Sequence, residues 1–202
     1  MLRHITASRP VFLCCDIQEK FRPRIARFSE AVFVAKRFLA MHELFPEDTR
    51  YIATQQYPKG LGALVPELGL STVSSQARVN VLDKTLFSML TPEVQSVWSA
   101  DTPSPENFVL FGIEAHACIL QTADDLIRMG KSVYIAVDGT FSQRDEDRMY
   151  ALQTVTNFVG PGKVYLTTSE SILLALIRDA KDPKFKQVSA LLQQERPGAM
   201  GK

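Results

Sequence analysis

Short apolar runs alternate along this chain with stretches whose apolar residues recur every three or four positions. That alternation restricts the fold more than any other feature. Val11–Cys15 is an unbroken apolar run of strand length, the pattern of a strand covered on both faces. Residues 28 to 45 then place Phe28, Ala31, Val32, Ala35, Phe38, Leu39 and Phe45 on one helical stripe. Tyr51–Thr54, Val79–Leu82, Asn107–Phe111, Ser132–Val137 and Val164–Leu166 read as further strands. Between them lie a short helix at Pro92–Ser99 and a helix from about His116 to Met129, stopped by Gly130. A helix capped by Ser142 is expected to run to about Phe158. Thr167 and Glu170 suggest a capping box for a helix near 169–178, and Lys184–Leu192 a last one. Strands alternating with helices imply parallel βαβ units. The expected architecture is a three-layer α/β/α fold around a doubly wound, mostly parallel, Rossmann-like sheet of about six strands.

The length of 202 residues suits one domain, expected over 1–202 with tails at 1–9 and 193–202. The 23 Lys+Arg against 22 Asp+Glu leave a formal charge of +1, which argues against a partner held by bulk charge such as nucleic acid. Three cysteines, two of them adjacent, make no disulfide framework and favour a reducing compartment. The densest apolar stretch, Phe28 to Met41, is broken by Lys36 and Arg37, so no membrane partner is expected. Arg3, Arg9, Thr6 and Ser8, with no acid before Asp16, weakly resemble a mitochondrial presequence. A cytoplasmic location is the main expectation.

In doubly wound sheets the functional site lies beyond the carboxyl ends of the strands. Those positions hold Asp16, then Gln55 and Gln56, then Asp83 and Lys84, then Cys118 at a helix start. Singly, each has an ordinary structural explanation as a cap, a solvated lysine or core filler. Their convergence on one edge of a sheet is the signal. Of the three thiols, Cys14 and Cys15 fall inside a buried strand, where desolvation makes a thiol inert. Cys118 falls in a first helical turn, where free N–H groups favour a thiolate. Histidine is the usual base for a thiol, but His4 lies in the tail and His42 continues a buried stripe. His116 is two residues from Cys118, a spacing that does not face it on a helix. Asp16 supplies the base instead.

Asp16-x-Gln18-x-x-Phe21, Lys84-x-x-Phe87-Ser88 and Gly112-Ile113-Glu114-Ala115-His116-x-Cys118 resemble the three signatures of the isochorismatase-like cysteine hydrolase superfamily. The stretches Thr54–Gly62, Leu110–His116, Leu166–Glu170 and Pro183–Lys186 are similar to its eukaryotic isochorismatase-domain-containing members. The resemblance runs from about residue 10 to 192. It implies a catalytic Asp16, Lys84 and Cys118 set, backbone oxyanion donors at Glu114 and Cys118, and a cis peptide between Ile113 and Glu114. It also implies a homo-oligomer, dimeric or tetrameric. The expected activity is hydrolysis of a small amide, ureide or ester through a Cys118 thioester, with Gln18, Phe21, Gln55, Tyr57, Phe87 and His116 lining the substrate pocket. No cofactor is expected. Nicotinamidases carry an Asp-x-His metal motif after the second strand, and the matching Gln55 and Tyr57 make a poor divalent site. The alternatives are an isochorismatase-type activity, a nuclease resting on Arg22-x-Arg24-x-x-Arg27, and a non-catalytic oligomer that binds a partner protein.

Overall fold

In a computed structural model, which describes residues 5, 9–74, 77–99 and 103–197, six strands form one sheet in the order β3-β2-β1-β4-β5-β6. They are β1 (Val11–Cys15), β2 (Arg50–Gln56), β3 (Val79–Lys84), β4 (Asn107–Ile113), β5 (Ser132–Phe141) and β6 (Lys163–Thr167). Every pairing is parallel, so each successive strand requires a crossover. The helices that supply or extend these crossovers are α1 (Phe28–Leu44), α2 (Pro58–Leu61), α3 (Pro92–Ser99), α4 (Leu120–Arg128), α5 (Asp145–Val155), α6 (Ser169–Ile177) and α7 (Phe185–Leu192). Most of the expected tail residues, 1–4, 6–8 and 198–202, lie outside the described residues, and with them the presequence-like positions Arg3, Thr6 and Ser8.

Side chains alternate across a strand, so β1 feeds two cores. Phe12 and Cys14 join Phe38, Tyr51, Phe111, Ile172 and Leu173 on the face covered by α1 and α6. Val11, Leu13 and Cys15 join Trp98, Phe108, Ile119, Leu126 and Val155 on the face covered by α3, α4 and α5. Strand order reverses between β1 and β4, the pair whose ends frame the crevice in this architecture.

Three expected boundaries shift. α5 begins after Arg144, not at a Ser142 cap, because the Ser142 hydroxyl is paired with His116 Nδ1 at 2.9 Å. α6 is capped by Thr168, whose side chain accepts from Ser171 N, one residue later than the expected capping box. The chain after β4 enters a single wide π turn over Ala115–Ile119 before α4, where a continuous helix is expected from the sequence.

Gly112 holds β1 and β4 together at this edge. It adopts φ +119°, opposite Cys15 in the register, and a Cβ placed there would stand 2.2 Å from the Cys15 carbonyl oxygen. Gly112→Ala therefore combines a backbone clash with a conformation that L side chains avoid. We expect it to destabilise the fold by about 3 kcal/mol or more. Urea unfolding beside wild type measures this, and a loss below 1 kcal/mol counts against the close approach.

Candidate active site

The edge formed by the ends of β1, β2 and β3 and the turn after β4 gathers an acid, a cation and a thiol. Asp16 directly follows β1 with φ +48°, a left-handed conformation that Asp tolerates better than most residues. Its carboxylate is buried and fully engaged. Oδ1 accepts from Thr54 Oγ1 at 2.7 Å, and Oδ2 accepts from the Lys84 ammonium at 2.7 Å and from the Cys15 thiol at 3.3 Å. Lys84, the last residue of β3, is equally buried and also donates to Gln56 Oε1 at 2.7 Å and to the Phe87 carbonyl at 3.0 Å. The Cys118 sulfur lies 3.5 Å from the same ammonium. Burial opposes the Lys84 charge, but Cys15, Asp16 and Cys118 outweigh it and hold the ammonium above its ordinary range. Desolvation pushes the Cys14 thiol up to about 12, and burial carries Cys15 well above its ordinary range.

Cys118 sits in the wide turn of Ala115–Ile119, and its carbonyl accepts from Thr122 Oγ1 at 2.6 Å. Thr122 Oγ1 in turn accepts from Met89 N at 2.9 Å, which ties the thiol segment to the loop that follows Lys84. The peptide bond between Ile113 and Glu114 is cis. Cys118 is 6% exposed, whereas Cys14 and Cys15 are 0% exposed. A brief iodoacetamide pulse is thus expected to alkylate Cys118 alone, read by mass mapping of the peptides. Faster labelling of either strand cysteine would contradict this geometry.

An open cavity of about 560 Å³ borders the cluster, walled by Tyr57, Lys59, Lys84, Leu86, Thr91 and Glu93 among others. Of the six residues expected to line a pocket, Tyr57 does so. Gln18 is instead wholly buried, and its amide donates to the carbonyls of Gln56 and Gly62 while accepting from Gln56 N. It ties the start of the chain after β1 to the 56–62 loop. Phe21 packs into the α1 core, and the Gln55 amide is spent on Asp83 and Leu64 N. Phe87 is exposed and serves the cluster through its carbonyl. His116 is exposed and paired with Ser142. His42 is a buried core histidine between Thr49 Oγ1 and the Arg78 carbonyl, and desolvation lowers its pKa.

Sequence reasoning placed Gln56 at this edge but did not find Thr54 or Thr122, nor the place of Cys15 within the cluster. Donor atoms of Cys15, Asp16 and Cys118 lie within 4.8 Å of one another, the spacing of a metal site. The Lys84 ammonium already stands 2.7 Å from Asp16 Oδ2, so a divalent cation there would face a buried like charge. This donor set does not fit a metal ion. Gln55 and Tyr57 add neutral groups only, one of them committed elsewhere.

A Rossmann-ordered parallel sheet carrying an acid, an ammonium and a thiol at its carboxyl edge places the chain among the open-sheet α/β proteins. Residues 10–170 match the isochorismatase domain, and the chain belongs to that family, whose superfamily is one of hydrolases. It is 38% identical over 196 residues to isochorismatase domain-containing protein 1 of Danio rerio, covering 97% of this chain and 65% of that one. It is 41% identical over 193 residues to isochorismatase domain-containing protein 2 of the same fish, covering 96% and 91%. The chain thus spans a little under two thirds of the first relative's length. Among solved structures, a Leishmania major protein superposes with a TM-score of 0.87 at 42% identity, covering 98% of this chain and 97% of that one. A MAR1 ribonuclease from Caenorhabditis elegans gives 0.82 at 33% identity, covering 96% of each. The YcaC gene product of Escherichia coli, an octameric hydrolase of unknown specificity, shares the fold with a TM-score of 0.73 at 17% identity, covering 91% of this chain and 86% of that one.

Proposed function

We propose that the chain hydrolyses a small amide, ureide or ester by acyl transfer to Cys118. The observation that carries this reading is the buried Lys84 ammonium, 2.7 Å from Asp16 and 3.5 Å from the Cys118 sulfur. A desolvated cation between an acid and a thiol stabilises the anion that either becomes. Asp16 takes the thiol proton, and the thiolate forms a bond to the carbonyl carbon. Backbone N–H groups of Glu114 and Cys118, at the start of a helical turn where such donors lack partners, hold the oxyanion. Collapse of this intermediate breaks the bond to the leaving amine or alcohol, which takes its proton from Asp16. Water, deprotonated by Asp16, then cleaves the thioester and releases the acid and the free thiol. Lys84 remains an ammonium throughout and acts on charge alone. The cavity beside Lys84 admits the substrate, and assembly into homo-oligomers accompanies this reading, as in octameric YcaC.

The competing reading is the ribonuclease activity named for the Caenorhabditis elegans relative. The basic cluster that would serve it is largely neutralised, because Arg22 pairs with Glu19 and Glu67 and Arg27 pairs with Glu30. A panel of small amides, ureides, esters and a structured RNA, tried on wild type and Cys118→Ala, separates the two. The expected result is turnover of a panel amide, ureide or ester by wild type alone, unchanged after dialysis against a chelator. RNA cleavage retained by Cys118→Ala, or hydrolysis that zinc or iron must restore, overturns the proposal.

A further inference from the structure

Cys15 has no part in the hydrolytic cycle, yet its thiol is built into the site. Its sulfur lies within 4.8 Å of both the Cys118 sulfur and the nearest Asp16 oxygen, and its S–H donates to Asp16 Oδ2 at 3.3 Å. It shares the α4-side core with Cys118, whereas Cys14 faces the opposite layer beside Tyr51. We propose that Cys15 and Cys118 are a peroxide-driven disulfide pair, with Cys15 the resolving thiol for an oxidised Cys118.

The order of events follows from access. Cys15 is fully enclosed between β2 and β4, whereas Cys118 keeps some exposure, so an oxidant in solution meets Cys118 first. The Cys118 thiolate, 3.5 Å from the Lys84 ammonium, attacks one oxygen of a hydroperoxide; the O–O bond breaks, leaving a sulfenic acid and a hydroxide or alkoxide. Cys15 then attacks the Cys118 sulfur. Its proton passes by way of Asp16 to the departing hydroxyl, which leaves as water, and an S–S bond remains. Two electrons pass from the two thiols to the one peroxide, and no further reductant or oxidant is needed. The sulfurs must close from under 4.8 Å to about 2.05 Å. β1 is pinned by strands on both sides, so the adjustment falls to the wide turn that carries Cys118. The product protects the nucleophile from irreversible sulfinic acid, and a thiol reductant restores it.

The inference rests on Cys118 being the reactive thiol of the proposed hydrolase, but its readout is mass and not turnover. The whole chain is treated with hydrogen peroxide, at one equivalent for the cross-link and at several equivalents for sulfinic acid, then quenched, alkylated under denaturing conditions and mapped without reduction. Cys14 shares a tryptic peptide with Cys15, so Cys14→Ala is mapped in parallel. Wild type is expected to lose two of its three free thiols and to yield a Cys15–Cys118 cross-linked peptide that dithiothreitol cleaves. Cys14→Ala is expected to give the same cross-link. Cys15→Ser and Cys15→Ala, compared at matched circular dichroism, are expected to accumulate Cys118 sulfinic acid that dithiothreitol does not reverse. Sulfinic acid forming equally fast in wild type, with no cross-link, overturns the proposal; so does a cross-link through Cys14. Inactivity of wild type on every panel substrate would refute the hydrolase reading while leaving the cross-link measurement intact.

Discussion

Cys118→Ala is expected to lower kcat/KM on any substrate that wild type turns over by roughly ten-thousand-fold or more, because removing a nucleophile from a set that acts as a unit forfeits nearly the whole catalytic gain. The fold should barely notice. Cys118 is a small side chain at the margin of the α4-side core, and Ala fills most of its volume. Burst kinetics add a second readout. A stoichiometric burst of leaving group from an activated ester should accompany wild type and vanish in the variant. Retention of more than a hundredth of the activity would mean that a water attacks directly, with Asp16 as its base, and would remove the thioester from the mechanism.

Lys84→Met should be the most damaging single change for stability. It leaves the Asp16 carboxylate, 1% exposed, without its counter-cation. Breaking a buried pair on one side costs about 3–5 kcal/mol. For a chain of this size that is a fall of roughly 10 °C in Tm, or somewhat more. The double variant Asp16→Asn/Lys84→Met removes both charges and should recover most of the lost stability while remaining inactive. Linkage gives a further check. The Lys84 ammonium is held above its ordinary value of 10.5, so its contribution is complete below that pH and fades as pH rises through the raised value. Wild type should therefore lose stability on that alkaline limb, and Lys84→Met should show a flatter one. A Tm within 2 °C of wild type would show that the pair is not buried as described.

Much of the scaffold was readable from pattern because parallel strands covered on both faces must be apolar throughout, as Val11–Cys15 and Asn107–Phe111 are. The meeting of Asp16, Lys84 and Cys118 was readable because crossovers return every strand end to one edge. What failed depended on register. Thr54 reaches Asp16 only because Cys15 pairs with Thr54 across β1 and β2, and no local pattern states that pairing. Cys15 was read as inert because it falls inside a buried strand, where alternation along β1 would set it and Asp16 on opposite faces. The left-handed turn at Asp16 breaks that alternation and leaves both side chains on the Cys118 side. The structural partners of polar side chains were also not legible. Gln18 and Gln55 look like binding groups in sequence, and their amides are consumed by loop carbonyls, Asp83 and Leu64 N. The wide turn at Ala115–Ile119 leaves no periodic trace, since its residues suit an ordinary helix equally well.

The division between the buried cluster and the cavity wall has an evolutionary consequence. Asp16, Thr54, Lys84 and Cys118 come from strand ends and the turn after β4, and substitutions in the buried Asp16–Thr54–Lys84 network disturb folding together with the proposed chemistry. Tyr57 and Leu86 wall the cavity from connecting loops, more than half exposed, and Lys59 and Glu93 from the first turns of α2 and α3. Changes at those four positions touch little of the core and should be nearly additive in stability. Under the proposed mechanism, a lineage built on this chain would change the compound it accepts by altering its rim, while the buried acid, ammonium and thiol are inherited unchanged.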